Sequence, residues 1–453
     1  MKVVKFGGSS LSTGEQIRKV FDIVLSDPER KIVVVSAPGK RHPSDEKITD
    51  LLISCGKKIL DNDSETEVLN EIIQRYILIA KELGLHESFI VEIRNSFLQV
   101  LQNDKSNPVM FLEALKASGE DTNAKLIAHY FQLRGVEAHY INPKDAGLLV
   151  SNEPGNAQVL PESYNRLADL STHSGIIIFP GFFGYNEQGK VLTFSRSGSD
   201  ITGSILANGA GASVYENFTD VDAVYSVNPT IIQQPKEIRE VTYREMRELS
   251  YAGFSVFHEE ALIPAYRAGI PVHVKNTNNP FAPGTRIVNE REQRNGPVVG
   301  IASDKGFCSI YVSKYLMNRE VGFGRKLLQI LESFGLSYEH SPSGIDDISI
   351  ILRENQLNSE IEKQIIELFK EELHADEVKV EHGLALIMIV GEGMRQNVGT
   401  TARASKALAH AGINIEMINQ GSSEVSMMFG VKEVNEKKAV QALYQEFFVG
   451  VLV

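Results

Sequence analysis

The sequence predicts an α/β protein: a mostly parallel sheet covered by helices, followed by two small α+β modules. Three observations carry this prediction. The N-terminal two-thirds places short, uninterrupted apolar runs directly before glycine or proline. Amphipathic stretches of helical period separate those runs. The C-terminal third repeats itself at a fixed spacing.

In chain order, the first strand is Val3 to Phe6, closed by Gly7-Gly8. The second is Ile32-Val33-Val34-Val35, closed by Ser36-Ala37-Pro38-Gly39, and residues 40–47 then read as an exposed loop. Asp121 to Leu133 carries Ala124, Ile127, Ala128 and Phe131 on one helical face. Ile176 to Phe179 is a third strand, closed by Pro180-Gly181, and Ile201 to Ala207 a further helix. Runs that are continuous rather than alternating belong to strands buried on both faces, as in parallel sheets. Ligands of such sheets sit at the carboxyl ends of the strands, where these glycines fall. Residues 288–298 are polar and unpatterned and read as a linker. The domains expected from these bounds are 1–290, 299–380 and 381–453.

Beyond the linker, Met317 maps onto Met394, Gly322 onto Gly399, Lys326 onto Arg403, Leu331 onto Leu408 and Gly335 onto Gly412, always 77 residues apart. The same offset, without a gap, maps Gly344 onto Gly421, Asp347 onto Glu424 and Ser349 onto Ser426. Each copy reads as strand, glycine-bearing turn, amphipathic helix, glycine cap, strand, turn, strand. These three aligned glycine pairs argue against chance matching, and only two copies argue for tandem modules over a solenoid.

The 453 residues correspond to about three domains at roughly 150 residues each. Lys+Arg 46 against Asp+Glu 58 leaves a net charge of −12, and the longest basic run is Lys40-Arg41-His42. Nucleic acid and anionic membranes are therefore excluded as main partners. Apolar stretches such as Leu384 to Val390 fall far short of the ~18 residues of a membrane span. Lys5 interrupts the N-terminal apolar run, so it is no signal peptide. Cys55 and Cys308 are the only cysteines, too few for a disulfide framework or a four-thiolate metal site. The expected compartment is a reducing cytoplasm.

Three segments carry chemistry. In Lys5-Phe6-Gly7-Gly8-Ser9-Ser10, the glycines allow close backbone approach to a phosphate and Lys5 brings a charge to transferring phosphoryl oxygens. Ser195-Arg196-Ser197-Gly198-Ser199-Asp200 precedes a helix; capping explains Ser199 or Asp200, whereas Arg196 suits a bidentate carboxylate clamp. Ser118-Gly119-Glu120 reads either as a cap ahead of Asp121 or as a carboxylate for a substrate ammonium. Two look-alikes fail. Gly184 to Lys190 has P-loop spacing, but Val191 replaces the hydroxyl residue and the flanks read as a hairpin. His258-Glu259-Glu260 lacks the second histidine of a zinc helix, because Leu262 stands there. The scattered histidines give no expected protein-ligated metal.

These segments, in order with Val35 to Gly39, Thr49-Asp50-Leu51-Leu52, Gly181-Phe182-Phe183-Gly184, Thr219-Asp220-Val221-Asp222 and the doubled C-terminal module, resemble the aspartate kinase family. The likeness is to its single-function form with two ACT domains, and it covers essentially the whole chain. It implies the three-layer amino-acid kinase fold with a mostly parallel central sheet, then two ferredoxin-like ACT modules. It also implies transfer of the γ-phosphoryl group of ATP, with Mg2+, to the β-carboxylate of L-aspartate. The product is 4-phospho-L-aspartate, the first step of lysine, threonine and methionine biosynthesis. By this resemblance Lys5 and Asp200 are catalytic, Glu120 pairs the ammonium and Arg196 grips a carboxylate. Thr49, Phe182, Ser199 and Asp200 complete the aspartate pocket. Lys5, Gly7, Gly8 and Ser9 meet the phosphates, and Thr219, Asp220, Tyr225, Ser255 and Val256 line the nucleotide site. No general base is needed, because the acceptor is already an ionised carboxylate.

Two cations common in the family are missing: Thr230 follows Asn228-Pro229 in place of Arg, and Ser255 replaces Lys. Lys275 and Arg267 are the candidates to replace them. The ACT resemblance implies effector amino acids, lysine or threonine or both, and a homodimer or higher assembly through the modules. Met317, Gly322, Phe323, Gly324, Asp346 and Asp347 are the expected effector residues, with backbone N–H groups on the effector carboxylate and the acids on a lysine ammonium. The repeat partner Ser423-Glu424 carries one charge fewer, which places lysine at the first module. Two alternatives stay open: another amino-acid kinase such as a glutamate kinase, or an amino-acid sensor with a weak kinase domain.

Overall fold

The computed structural model describes residues 1–254, 257, 260–291, 296–421 and 425–450. The chain divides into two compact units. The first is Met1–Val224, Glu237–Arg247 and Ser255–Glu292; the second is Tyr225–Lys236, Glu248–Phe254 and Gln293–Val453.

The first unit is built on an eight-stranded sheet. Its order is Glu240–Thr242, Thr285–Val288, Val272–Asn276, Val214–Thr219, Lys2–Phe6, Arg30–Val35, Ile176–Pro180, Ala138–Tyr140. Every neighbouring pair is parallel except Val272–Asn276 with Thr285–Val288. The three predicted strands lie side by side at its centre, and Val3 to Phe6, Ile32 to Val35 and Ile176 to Pro180 are buried throughout. That burial is why their apolar runs show no alternation. Val4, Phe6, Val33, Val35, Ile178 and Phe218 face one core with the helices Gly14–Leu25, Ile48–Leu60, Thr66–Glu82, Glu87–Val100 and Pro108–Leu133. On the other face, the helix Gly198–Gly209 lies so close that a Cβ on Gly203 would stand 2.5 Å from the Tyr215 hydroxyl.

One helix differs from expectation in a way that matters. It runs over Pro108–Leu133, 26 residues, and does not begin at Asp121. The Asn107 side chain accepts the Met110 N–H and Pro108 occupies the first turn, which together start it earlier. Ser118-Gly119-Glu120 therefore lies mid-helix, and its reading as a cap is wrong. Gly119 is closely packed: a Cβ there would be 3.0 Å from Leu52 and 3.1 Å from Ala37, so those side chains would have to shift by a few tenths of an ångström. Phe183–Tyr185 and Val191–Thr193 form the antiparallel hairpin expected of the P-loop look-alike.

The second unit carries one five-stranded antiparallel sheet, in the order Asp347–Arg353, Gly300–Ser313, Glu377–Val390, Ser426–Lys432, Met417–Asn419. Two cores sit on it. Ile310, Val312, Leu327, Ile350 and Phe369 belong to one; Val298, Ile301, Ile387, Leu408 and Phe429 belong to the other. The strands Gly300–Ser313 and Glu377–Val390 run through both, with register shifts around Phe307 and left-handed glycines at Gly306 (φ 79°) and Gly383 (φ 69°). The start of the first strand thus serves the same core as the end of the chain.

The repeat is real through its helices. Phe323–Ser333 and Thr400–His410 stand 77 residues apart at both ends. Their preceding glycines are left-handed, Gly322 at φ 82° and Gly399 at φ 90°, as are Gly335 and Gly412 after them at 68° and 66°. Beyond the helices the offset changes. Asp347 pairs with Ser313, whereas the residue paired with Val390 is Ser426, so the strands correspond at an offset of 79. The second copy has two extra residues in the connecting loop. The ungapped mapping of Asp347 onto Glu424 is therefore wrong, and Asp347 corresponds to Ser426. Ser423-Glu424 lies outside the described residues. Among the described residues, no helix is long and apolar enough to cross a membrane.

Candidate active site

Four strand ends of the first unit converge. Lys5 points to the face of the sheet that carries the helix Gly198–Gly209, and its Nζ lies 2.6 Å from Asp200 Oδ1. Both side chains are about nine-tenths buried, at 9% and 10% exposure. Asn217, the cross-strand neighbour of Lys5, donates Nδ2 to the same Asp200 oxygen at 2.6 Å. The Tyr215 hydroxyl donates to the Asp200 carbonyl at 3.2 Å, and burial raises its pKa well above the usual value, so it stays a donor. Asp200 lies in the first turn of its helix, where the macrodipole favours a negative charge. Ser197 precedes that helix in a left-handed conformation, φ 63°, and makes no side-chain cap. Ser199 and Asp200 are thus not caps, and both turn inward and are buried.

The glycines are there for contact. A Cβ on Gly8 would lie 2.9 Å from the Ala37 carbonyl oxygen, and one on Gly39 only 2.5 Å from the Gly8 carbonyl carbon. The two turns are pressed backbone to backbone, with Gly39 N–H donating to Gly8 O at 2.8 Å. A Cβ on Gly7 would stand 3.4 Å from Lys5 Nζ. Gly181 donates to Val35 O at 2.9 Å, and a Cβ there would be 2.6 Å from Ser199 Oγ. Phe182 is left-handed at φ 77°. Thr202 Oγ1 accepts its N–H at 3.0 Å and Phe194 N–H donates to its carbonyl at 2.8 Å, which holds the conformation.

Glu120 closes the opposite side of the Ser36–Gly39 turn. Its carboxylate accepts the Ala37 N–H, but Oε2 is buried and meets no partner among the described residues. Burial pushes its pKa up to about 8. Thr49, half-buried, is in the first turn of Ile48–Leu60, whose Ile48 N–H donates to Pro38 O at 3.3 Å. The expected exposed loop 40–47 is pinned at one residue. Asp45 is buried, is held by Arg41 at 2.8 Å and Arg75 at 2.9 Å, and has a pKa well below the carboxylate range, chiefly through the Arg41 hydrogen bond. Arg75 also donates to Gly39 O at 2.7 Å, fixing the turn from behind. Arg196 is exposed and forms no ion pair with a described residue.

The nucleotide candidates divide. Ser9 is exposed, while Ser10 Oγ lies 2.7 Å from Thr277 Oγ1. Thr219, half-buried at its strand end, donates Oγ1 to the exposed Asp220 at 3.2 Å. Tyr225 belongs to the second unit, and Ser255 and Val256 lie outside the described residues. Lys275 does not stand in for a missing cation beside Lys5. It projects from the opposite face of the sheet, over the Phe218 ring at 5.6 Å and 3.9 Å from Glu216, with its pKa lowered by burial. Arg267 is exposed on the short helix Ile263–Arg267. Among the described residues, no group of three His, Cys, Asp or Glu side chains can hold a metal ion. Burial raises the thiol pKa of Cys55 to about 11 and of Cys308 to about 12, so neither is reactive.

In the second unit, Met317 and Phe323 are buried, and Gly322 opens the helix Phe323–Ser333. Asp346 Oδ1 accepts the Leu316 N–H at 2.8 Å and so shapes the Met317 turn. Glu320, held by hydrogen bonds from Lys314 and from Lys326 at 2.8 Å, has its pKa lowered to about 2. Asp347 packs on Gly344 and lines a pocket of about 230 Å³ with Ser309, Ser349, Glu381 and Glu416. Gly322–Gly324 are not in that lining.

Sequence reading missed Asn217, Tyr215, Arg75 and Asn123, whose Nδ2 donates to Ser36 O at 2.7 Å. The first three have no local signature and act on residues distant in sequence; Asn123 has a clue, lying three residues after Glu120.

The model of the amino acid kinase family matches residues 1–276, and that of the ACT domain matches residues 387–447. Aspartokinase 3 of Bacillus subtilis (strain 168) is 69% identical over 453 residues, covering 100% of both chains. The crystal structure of Clostridium acetobutylicum aspartate kinase aligns with a TM-score of 0.86 at 37% identity, covering 99% of this chain and 100% of that one. E. coli aspartokinase III in complex with aspartate and ADP (R-state) aligns at 0.79 and 25% identity over 98% and 99% of the two chains. The same enzyme with lysine and aspartate (T-state) aligns at 0.77 and 25%, over 99% of each.

Proposed function

The chain belongs to the amino acid kinase family as an aspartate kinase, and from that premise we propose how its residues divide the work. The enzyme transfers the γ-phosphoryl group of ATP to the β-carboxylate of aspartate, giving 4-phospho-L-aspartate. One observation carries the assignment of the aspartate site: the buried Glu120 carboxylate with an unpartnered oxygen. A buried carboxylate in that state calls for a cation with N–H donors, and the substrate ammonium supplies one. Arg196, exposed and without an ion pair among the described residues, grips a substrate carboxylate, with Thr49, Phe182 and Ser199 shaping the pocket.

Lys5 faces the transferring group from a site where its charge is already oriented by Asp200 and Asn217. Gly7 and Gly8 admit the phosphates, and Thr219 and Asp220 meet the nucleotide. Because the acceptor is ionised at neutral pH, the protein needs no base; its task is positioning and charge stabilisation. Magnesium enters with ATP as the metal–nucleotide substrate. Asp200 is engaged by Lys5 and Asn217, and among the described residues no group of three His, Cys, Asp or Glu side chains forms a cation cage around it.

The ACT modules receive effector amino acids. We infer lysine at the first module, with Gly322–Gly324 on its carboxylate, Asp347 toward its ammonium, and Asp346 shaping the Met317 turn. The modules also associate copies of the chain. Val321 and Val398, equivalent in the repeat, are 96% and 105% exposed, which supports burial in a homodimer or larger assembly. The deciding assay traps acyl phosphate with hydroxylamine, using MgATP and a panel of acceptors, with and without lysine and threonine. Aspartate is the expected acceptor; preference for glutamate, or silence with every acceptor, overturns the reading.

A further inference from the structure

Asn123 is fully buried in the helix Pro108–Leu133, three residues after Glu120 and so on the same helical face. Its Nδ2 donates to Ser36 O at 2.7 Å. A carbonyl oxygen only accepts, so this bond fixes which end of the amide faces the turn. Oδ1 points elsewhere, buried, and no donor among the described residues reaches it. Glu120 shows the same arrangement one residue along the turn: it accepts the Ala37 N–H, and its Oε2 stays unpartnered. Two neighbouring acceptors on one helix are thus each anchored to consecutive residues of one turn, and each keeps one oxygen without a donor.

Buried polar atoms normally have partners, so such a pair marks the place of a missing donor group. The group that fits has several N–H donors and no lone pair. A primary ammonium has three donors and no acceptor, and its charge matches Glu120. We propose that Asn123 Oδ1 accepts a second hydrogen bond from the α-ammonium of the substrate, beside Glu120. The assignment rests on the aspartate-kinase reading above and deepens it. Glu120 supplies charge, and Asn123 supplies direction through an acceptor that does not titrate. Asn123 then helps distinguish aspartate from a dicarboxylic acid of the same length that lacks the amine.

The test compares aspartate with succinate, which keeps both carboxylates and lacks the ammonium. Wild type, Asn123→Ala and Asn123→Asp are assayed for aspartate KM and for succinate inhibition. Asn123→Ala is expected to weaken aspartate by about 10- to 100-fold, the loss of one hydrogen bond to a charged group, and to leave succinate inhibition unchanged. Asn123→Asp keeps an acceptor but loses the donor to Ser36 O, and is expected to retain the preference for aspartate. A purely structural tie to Ser36 predicts the reverse: parallel loss of aspartate and succinate in both variants. That result, or unchanged aspartate KM in Asn123→Ala, overturns the assignment. If Asn123→Ala does not fold, the selectivity of Asn123→Asp decides, retention supporting the proposal and loss overturning it. Failure of the wild type to phosphorylate aspartate is a separate result. It overturns the aspartate-kinase reading and this assignment with it.

Discussion

Lys5 Nζ stands 2.6 Å from Asp200 Oδ1, and Asn217 donates to that same oxygen. The lysine charge is matched and oriented before any substrate arrives. Lys5→Met removes the cation while leaving Asp200 its Asn217 donor. Turnover is expected to fall by about 10²- to 10³-fold, with aspartate KM little changed. Asp200→Asn does the opposite kind of damage, because it strands a buried ammonium. Urea unfolding should then show a loss of about 3–5 kcal/mol. Full turnover in Lys5→Met, measured by hydroxamate formation, removes Lys5 from the catalytic role.

Glu120 predicts a pH dependence whose sign can be worked out. Its pKa rises from an ordinary 4.5 to about 8 because the carboxylate is buried. At neutral pH the empty site therefore holds a proton, and the ammonium needs the ionised form. Aspartate binding then releases a proton. Apparent affinity should improve by up to about tenfold per pH unit as pH rises toward 8, and level off above it. Calorimetry in buffers of different ionisation enthalpy measures the proton directly. The same shift acts on stability. Between pH 4.5 and about 8 the folded chain binds the extra proton, so the ligand-free protein loses stability as pH rises through that window. Glu120→Gln should abolish both slopes and weaken aspartate.

Gly39 and Gly8 test the contact between the two turns. A Cβ on Gly39 would sit 2.5 Å from a backbone carbon, which cannot move aside as a flexible side chain can. Gly39→Ala should cost about 1–3 kcal/mol by overpacking and raise KM for both substrates, since it parts the turns carrying Gly7-Gly8 and Ala37. Gly7→Ala meets Lys5 Nζ at an ordinary 3.4 Å and should be milder in stability. Equal stability losses in the two variants would remove the packing argument.

The strand shared by the two cores gives a prediction that the sequence did not suggest. Ile301 and Ile310 lie on one strand and both are fully buried, yet they serve different cores. Ile301→Ala should cost about 2–5 kcal/mol and expose amides around Met427 to Val431, while Ile310→Ala exposes those around Ile350 to Leu352. Hydrogen exchange by mass spectrometry separates the two patterns. Opening of the same segments in both variants would show that the cores do not act separately.

What was legible follows from physics. Ile32 to Val35 announced a central parallel strand because burial on both faces removes any alternation. Gly322, Gly335, Gly399 and Gly412 announced the repeat because the left-handed backbone there suits glycine above all. Pairing partners are not written locally. Nothing in Asn217 says that it will meet Asp200, and nothing near Ile301 says that its core is completed by Phe429. The mid-helix place of Glu120 was hidden because a Ser-Gly-Glu triplet imitates a cap, while the true start at Asn107-Pro108 lies eleven residues earlier than Ser118. The register slip after Gly412 was hidden for a related reason: a two-residue insertion in a loop leaves apolar strand residues matching apolar strand residues.

That slip bears on where the effector binds. Counting acids against Ser423-Glu424 favours lysine at the first module, but strand pairing makes Ser426 the counterpart of Asp347. The contrast becomes a carboxylate against a hydroxyl, and the hydroxyl is occupied, since Ser426 Oγ donates to Glu248 at 2.9 Å. The two acids of the first module also separate. Asp346 is spent on the Leu316 N–H, and Asp347 lines the nearby pocket. Asp347→Asn should therefore weaken lysine binding by at least about tenfold with little change in stability, as loss of a charged partner for an ammonium. Asp346→Ala should cost about 1 kcal/mol through the turn it holds, and disturb lysine and threonine alike. Calorimetric titration of both effectors into both variants checks this. Unchanged lysine affinity in Asp347→Asn would remove the first-module assignment.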